Sequence, residues 1–343
     1  MISSPPSVDL RQLHTFGLPA KAVRVETFVD VETLQNLLRE TPTPHLILGD
    51  GSNVAFVDDY PGTILLNRIT GRKVLERGHG GKAEILVGAG EEWHNLVLWS
   101  LEQKLYGLEN LSLIPGRVGA APIQNIGAYG VELSDVFKGC RVYDRQSEEA
   151  TWLSLETCDF GYRNSIFKTD RERYVILEIK LELDTKFSPK LDYGDLAERA
   201  AALEKELDGP ALSALVCEIR SEKIPHPCDL GNAGSFFKNP VIDAQLKNQL
   251  QALGSSPPLY DLGNGSFKTS AAWLIDQCGL KGAREGDIAV HKRQPLVLVN
   301  HGNGTGRQLL SLTKRVQETV FERFNVRLER EVNLVPPPQG RSA

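Results

Sequence analysis

The sequence predicts an α+β protein folded in two or three lobes, and three observations carry that expectation. A chain of 343 residues is longer than the roughly 250 at which single hydrophobic cores stop growing. Short apolar runs bounded by turn residues alternate with stretches of helical period, so neither an all-α nor an all-β pattern fits. Hydrophobic residues at 41% and charged residues at 24% are those of a folded globular chain.

Taken in order, His45–Leu48, Thr63–Leu66 and Glu84–Val87 are apolar runs closed off by turn residues and read as buried strands. From Glu91 to Lys104 the period changes. Trp93, Leu96, Val97, Ser100 and Leu101 share one helical face, and Gly107 follows the end. Tyr174–Leu183 alternates Val175, Leu177, Ile179, Leu181 and Leu183 with smaller or polar neighbours, the signature of a half-buried strand that closes the first domain. Asp195–Glu206 and Pro210–Lys223 read as helical. Two prolines in Ser221–Asp229 then break periodicity, which places the inter-domain crossing there. In the second lobe a helix is expected over Ala271–Cys278, with Ser270 as N-cap and Gly279 just past the end. A longer helix is expected over Gly306–Phe324. Thr305 and Gln308 have the spacing of a capping box, and Leu309, Leu312, Val316, Val320 and Phe324 mark the buried face. A final strand over Val326–Val335 precedes the tail Pro336–Ala343, expected to lack structure. No internal repeat is visible.

Composition excludes several function classes. The formal net charge is −5 and no run of Lys and Arg occurs, so there is no electrostatic footprint for nucleic acid. A small polyanion remains compatible, because a pocket needs only a few well-placed donors. The five cysteines are odd in number and lack a C-x-x-C pair, so neither a disulfide framework nor a metal site is expected. The N-terminus has no cationic stretch leading into an apolar one, and no apolar run approaches the ~18 residues that span a bilayer. A cytoplasmic protein without membrane insertion is expected.

Five segments carry candidate chemistry. Leu48-Gly49-Asp50-Gly51-Ser52-Asn53 follows a strand directly. It reads either as a tight turn or as a loop whose successive N–H groups converge on a pyrophosphate, and it does not match G-x-G-x-x-G. Ile114–Gly130 is rich in glycine and small residues, with few charges and little periodicity. It cannot pack as an element unaided and reads either as a purely structural loop, uncommon at this length, or as a wrapping for a flat apolar ring such as an isoalloxazine. In Phe160–Lys168, Arg163 lies among aromatics, either stacked at the surface or serving a site. In Gly231–Pro240, Ser235 stands between small residues and two phenylalanines, without the G-x-S-x-G of an esterase elbow, and reads either as a hydroxyl exposed at a sharp turn or, slightly favoured by the residues alone, as an incidental one in a turn. In Leu328–Val332, Glu329 and Glu331 fall on one face of a strand, so periodicity does not separate a functional carboxylate from a solvated one.

Together these segments resemble the UDP-N-acetylenolpyruvoylglucosamine reductase family. The match runs in order through His14–Gly17, Leu48–Val54, Ile114–Gly116, Pro122–Leu133, Phe160–Arg163, Gly231–Pro240, Trp273–Gln277 and Leu328–Val332. The resemblance implies an FAD-binding domain of the vanillyl-alcohol-oxidase (PCMH) type built of two α+β subdomains, followed by an α+β substrate-binding domain. On this sequence it implies FAD-binding subdomains over residues 1–66 and 67–222, a substrate domain over 223–327, and a terminal strand and tail over 328–343. Ile126–Gly130 and Leu191–Leu196 resemble the tyrosine-bearing loop and extra segment of the long, type I form.

The implied activity is NADPH-dependent reduction, through FAD, of the enolpyruvyl ether of a UDP-linked amino sugar in cell-wall precursor synthesis. Ser235 resembles the acid that protonates the intermediate, and Arg163 and Glu331 the pair that stabilises it. FAD contacts are implied for Gly49, Asp50, Gly51, Ser52, Asn53, Pro115, Gly116, Gly119, Ala120, Ile123, Ile126 and Gly127. Substrate contacts are implied for Tyr193, Lys223, Lys238, Asn239, Gln294, Tyr129 and Tyr260. One departure is Ala120-Ala121, where relatives can carry serines, so a hydroxyl bond to the flavin is missing there. Rival readings are another FAD-linked oxidase or dehydrogenase on the same scaffold, which would not need NADPH, and a nucleotide-sugar binding module that has lost catalysis.

Overall fold

Alternation along Tyr174–Asp184 makes this segment the middle strand of a five-stranded sheet, in the order Glu149–Ser154, Phe137–Asp144, Tyr174–Asp184, Lys82–Gly88, Arg72–Arg77. Every neighbouring pair in this sheet is antiparallel. The computed structural model describes residues 7–78, 80–204, 206–252 and 257–337. Contacts divide the chain into two compact units, one of Arg24–Asp50 and Gly62–Glu222, the other of Met1–Val23, Gly51–Pro61 and Lys223–Ala343.

In the first of these units, one face of the sheet meets the helix Trp93–Glu102. Ile85, Val87, Ile179, Leu181 and Leu183 pack with Trp93, Leu96 and Val97, all within 1% of full burial. Each such side chain contributes about 1.5–3 kcal/mol relative to solvent exposure. The expected single buried face is split: a register shift opposite Arg141 and Val142 interrupts the alternation, so Val175 and Leu177 pack on the other face with Phe28, Leu34 and Leu65, next to the helix Val31–Glu40, whose N-cap Asp30 accepts from Thr33 N at 2.7 Å. His45–Leu48 runs parallel to Thr63–Leu66 and leads into Gly49.

The other unit contains a four-stranded antiparallel sheet in the order Gly231–Ser235, Val297–Asn300, Ile288–Val290, Arg284–Glu285. A three-stranded sheet, Val241–Asp243, Ser266–Thr269, Leu259–Asp261, lies in the same unit. The helix Gly306–Phe324 forms with its capping box in place, Thr305 and Gln308 bonding reciprocally, and buries Leu309, Leu312, Val316, Val320 and Phe324. The helix Ala271–Gln277 is capped by Ser270, which accepts from Trp273 N.

Several expectations change in extent. The helix expected over Asp195–Glu206 covers Leu196–Ala201. The last strand is confined to Asn333–Val335, parallel to Val54–Phe56. Val326, Leu328 and Val332 are buried as their alternation suggests, but between them the chain makes a single bridge, Phe237 with Arg330, among the described residues. Alternating burial records side-chain direction, not a ladder partner. Within Ile114–Gly130 a seven-residue 3-10 helix, Val118–Gln124, forms and ends at Asn125, which takes a left-handed φ of 44°. Of the tail expected to lack structure, residues 338–343 lie outside the described residues.

Glu109 is 4% exposed in the short 3-10 helix Glu109–Leu111. Its Oε2 accepts from Gly107 N at 2.7 Å, while its buried Oε1 meets no donor among the described residues. Burial pushes its carboxyl above the ordinary value of 4.5. As pH rises past 4.5, the unfolded chain therefore releases this proton before the folded one does, and stability falls until the folded-state group ionises too. Glu109→Gln has no such proton to lose. Urea unfolding at acidic and at neutral pH should show the variant gaining stability relative to the parent as pH rises; a relative loss would mean that Glu109 is held ionised.

Candidate active site

In the unit that contains the five-stranded sheet, the turn after His45–Leu48 is held by two arginines that the sequence motifs do not single out. Arg117 Nε donates to Asp50 Oδ1 at 2.7 Å and its Nη1 to the Gly90 carbonyl at 2.9 Å. Arg68 Nη1 donates to the Gly49 carbonyl at 3.1 Å, with Nη2 3.3 Å from Asp50. Gly49 packs under Arg117, where a Cβ would sit 3.1 Å from the Arg117 side chain. The carboxylate of Asp50 is thus turned to the protein's own cations, leaving the loop backbone as the element suited to a phosphate.

The segment from Pro115 begins with Gly116 at φ 106°. Val118 N and Gly119 N donate to the Glu91 and Ala89 carbonyls, each at 2.8 Å. Gly119 lies so close that a Cβ there would be 2.7 Å from that of Ala89. Ile123 and Ile126 lean on the core, and Ser165 Oγ donates to the Ile123 carbonyl at 2.8 Å. Ala120 is exposed and Gly116 and Gly119 are half-buried, so this stretch offers backbone groups with at most a methyl over them. A flat ring system fits such a lining.

Arg163 stands beside the same segment. It adopts a left-handed φ of 53°, and its Nη2 and Nη1 donate to the carbonyls of Gly127 at 2.7 Å and Asn125 at 3.3 Å. Its guanidinium lies 5.3 Å from the Tyr162 ring centroid and 3.8 Å from Glu132. The stacking on an aromatic ring and the contact with the small-residue segment are both present. Asn125, 1% exposed, fastens the adjoining turn by donating to Glu132 at 2.8 Å. Tyr129 heads the hairpin of Gly127–Ala128 and Val131–Glu132, and its ring meets that of Tyr193 edge to face with centroids 6.0 Å apart. Burial pushes the Tyr129 hydroxyl pKa up. Arg220, Cys217 and His94, also unmarked by any motif, lie in this unit; burial lowers the pKa of Arg220, with the charge of Arg163 adding to that and Tyr129 opposing it.

In the other unit, Ser235 ends a strand that carries a β-bulge. Asn232 pairs with Val299 and Ser235 with Val297, so one extra residue is accommodated between them. Gly234, at φ 69°, makes the turn, and its N–H donates to Asn232 Oδ1 at 3.0 Å. Phe236 and Phe237 are fully buried next to it. Glu331 N donates to the Phe236 carbonyl at 2.9 Å, and Lys238 N to that of Glu329 at 2.9 Å. The segment bearing Glu331 thus runs antiparallel to the one bearing Ser235. Lys238 Nζ pairs with Glu329 at 2.9 Å, which occupies the carboxylate that periodicity could not tell from Glu331. Asn53 Nδ2 donates to the Glu331 carbonyl at 3.3 Å. Gly51, at φ 59°, has the Leu13 carbonyl and His14 where a side chain would go, so no larger residue fits.

The remaining candidates are less concentrated. Asn239 Oδ1 accepts from Ala271 N at 3.0 Å, at the start of the helix Ala271–Gln277. Gln294 occupies the turn before Val297–Asn300, its N–H donating to His291 Nδ1 at 3.2 Å. Ser52 is half-buried, and Lys223 is exposed at the end of the helix Gly209–Lys223. Tyr260 lies on the strand Leu259–Asp261, 48% exposed, with Lys268 5.9 Å from its ring. Among the described residues no cluster of His, Cys, Asp and Glu suits a metal ion, and no helix is long and apolar enough to cross a membrane.

Comparison with known proteins gives these sites a context. The sequence model described as "UDP-N-acetylenolpyruvoylglucosamine reductase, C-terminal domain" matches residues 226–335, and that described as "FAD binding domain" matches residues 19–153. The UDP-N-acetylenolpyruvoylglucosamine reductase of Pseudomonas putida is 44% identical over 331 residues, covering 95% of this chain and 97% of that relative. The reductase of Cupriavidus pinatubonensis is 45% identical, covering 94% of this chain and 96% of that one. Among solved structures, the reductase of Thermus caldophilus superposes with a TM-score of 0.65 at 26% identity, covering 96% of this chain and 98% of that one. The α+β class and the FAD-binding domain expected from the sequence agree with these matches. With identity this high over nearly its full length, the chain belongs to the UDP-N-acetylenolpyruvoylglucosamine reductase family.

Proposed function

We propose that this chain is an NADPH-dependent flavoenzyme that reduces UDP-N-acetylglucosamine enolpyruvate to UDP-N-acetylmuramate, a step of peptidoglycan precursor synthesis in the cytoplasm. The observation that carries this reading is the bulged strand ending in Ser235 beside the segment of Glu331, in a chain of this kinship. Its partners are then small molecules, the UDP-sugar and NADPH, and neither nucleic acid nor a membrane is required.

Gly49, Asp50, Gly51, Ser52 and Asn53 would hold the pyrophosphate of FAD, and Pro115, Gly116, Gly119, Ala120, Ile123, Ile126 and Gly127 its ring. When bound, FAD supplies a two-electron hydride exchange between NADPH and the vinyl carbon of the substrate. What falls to the protein is the electron pair left on the α carbon, next to the substrate carboxylate. Arg163, its guanidinium fixed by the Asn125 and Gly127 carbonyls, opposes that charge, and fixed geometry is what makes such a charge effective. Glu331 would assist Arg163 in stabilising that charge, by a hydrogen bond that it can donate only when protonated. Ser235 delivers a proton to the α carbon; a hydroxyl is a weak acid in water, so its aim, set by the bulge at Gly234, matters more than its pKa. Tyr193, Lys223, Lys238, Asn239 and Gln294, with Tyr129 and Tyr260, would contact the sugar and the diphosphate. The lysines suit the diphosphate by charge.

Absorbance spectroscopy tests the whole assignment. Purified protein should be yellow, bleach on anaerobic addition of NADPH, and regain its colour when the enolpyruvyl substrate is added. Colourless protein, or a flavin that NADPH leaves oxidised, would sink it.

Ser235→Ala should leave bleaching by NADPH nearly unchanged and slow the return of colour by about 10²–10⁴-fold. Equal slowing of both halves would remove Ser235 from the protonation step. For Arg163→Ala the return of colour should slow by roughly 10²–10³-fold with flavin content retained. Loss of flavin from that variant would show that the clamp on Asn125 and Gly127 serves binding instead.

A further inference from the structure

Asn110 lies in the 3-10 helix Glu109–Leu111 and is 2% exposed. Its Nδ2 donates two hydrogen bonds, to the carbonyl of Tyr129 and to the carbonyl of Lys190, each at 2.8 Å. The two acceptors belong to segments far apart in sequence. Tyr129 turns the hairpin of Gly127–Ala128 and Val131–Glu132 with a left-handed φ of 48°. Lys190 precedes the stretch that carries Tyr193, the residue whose ring meets Tyr129. Gly130, at φ 82°, lies where a Cβ would be in van der Waals contact with that of Tyr193, at 3.5 Å. A single amide nitrogen therefore ties together the backbones that present both tyrosines.

The helix bearing Asn110 is itself anchored. Trp93 Nε1 donates to the Leu111 carbonyl at 2.9 Å, Ser112 and Ser213 hydroxyls meet at 2.7 Å, and Leu113 N donates to His94 Nδ1 at 3.0 Å. No other residue of this size supplies two N–H donors from one atom. Asp presents only acceptors to the two carbonyls, Ser offers one donor and Ala none.

We propose that Asn110 is a positioning residue for substrate, fastening the Tyr129 hairpin and the Tyr193 stretch to one rigid point so that both tyrosines are held ready for the UDP-sugar. The proposal rests on the reading of Tyr193 as a substrate contact. Losing the tie leaves the binding-ready arrangement populated for a smaller fraction of the time, and apparent affinity falls by that fraction. Once substrate is seated, the reacting groups are those of the parent.

The experiment is steady-state kinetics of the flavin-loaded enzyme with the UDP-sugar varied, on Asn110→Asp, Tyr193→Ala and the double variant. Asn110→Asp should raise KM by about 10–100-fold, as expected for two lost hydrogen bonds with their acceptors left buried, with kcat little changed. Trypsin should cut after Lys190 faster in the folded variant, with cleavage elsewhere unaltered. Because Asn110 acts in part through Tyr193, the two effects should combine to less than their product in the double variant. Should the aspartate variant fail to accumulate, Asn110→Ser, which keeps one donor, is expected to give a smaller rise in KM. A KM raised by Tyr193→Ala but unmoved by either Asn110 variant overturns the tie alone. A KM unmoved by Tyr193→Ala removes that tyrosine from the substrate site and the proposal with it. A fall in kcat, flavin content and thermal midpoint together, without the KM effect, would reduce Asn110 to a structural residue.

Discussion

Buried irregular backbone must find hydrogen-bond partners, and around the candidate site side-chain amides and guanidinium groups supply several of them. Asn125, Arg163 and Asn110 hold the turns around Tyr129. Arg117 and Arg68 hold the turn after His45–Leu48. Asn53 and Asn232 do the same around Glu331 and Ser235. The regular elements form a scaffold, and these polar links convert it into defined loop geometry. An unpaired buried carbonyl costs about 1–3 kcal/mol, so each link constrains a loop that could otherwise take several conformations.

That constraint also explains what sequence reading reaches and what it misses. Periodicity found the helix Gly306–Phe324 with its capping box and the strand Tyr174–Asp184, because both are written in local spacing. It did not single out the helices Val31–Glu40 and Ala244–Ala252, and it extended the last strand back over Val326–Val332, where burial alternates but the described residues make a single bridge. The grouping of residues 1–23 and 51–61 with 223–343 depends on contacts between distant segments, for which a single sequence holds no local sign.

The candidate site shows the same division. Glycines and small residues mark the flavin segment because close approach excludes side chains, and that much is legible. Ser235, Arg163 and Glu331 were no more than ambiguous on their own and drew meaning from family order. Asn110 and Arg68 lie in no motif, and Arg117 is not singled out within its own: an asparagine whose two donors serve carbonyls at residues 129 and 190 resembles any other asparagine in a one-dimensional reading. The structure separates Glu329 from Glu331 by giving the former Lys238 as a partner, a distinction that strand parity cannot supply.

The extra residue accommodated between Asn232 and Ser235 sets a rule for how this segment can change. Opposed residues of paired strands share a face, so shortening the chain by one position there would leave Ser235 opposite Val297 but remove the bend and added twist that the bulge imposes. Point substitutions in this stretch adjust size and polarity; a single-codon deletion straightens the strand and re-aims the hydroxyl. Length between Gly231 and Phe236 is therefore under a stricter limit than composition, and the gain or loss of one codon is the simplest route by which a descendant of this fold could keep its architecture while giving up its reaction.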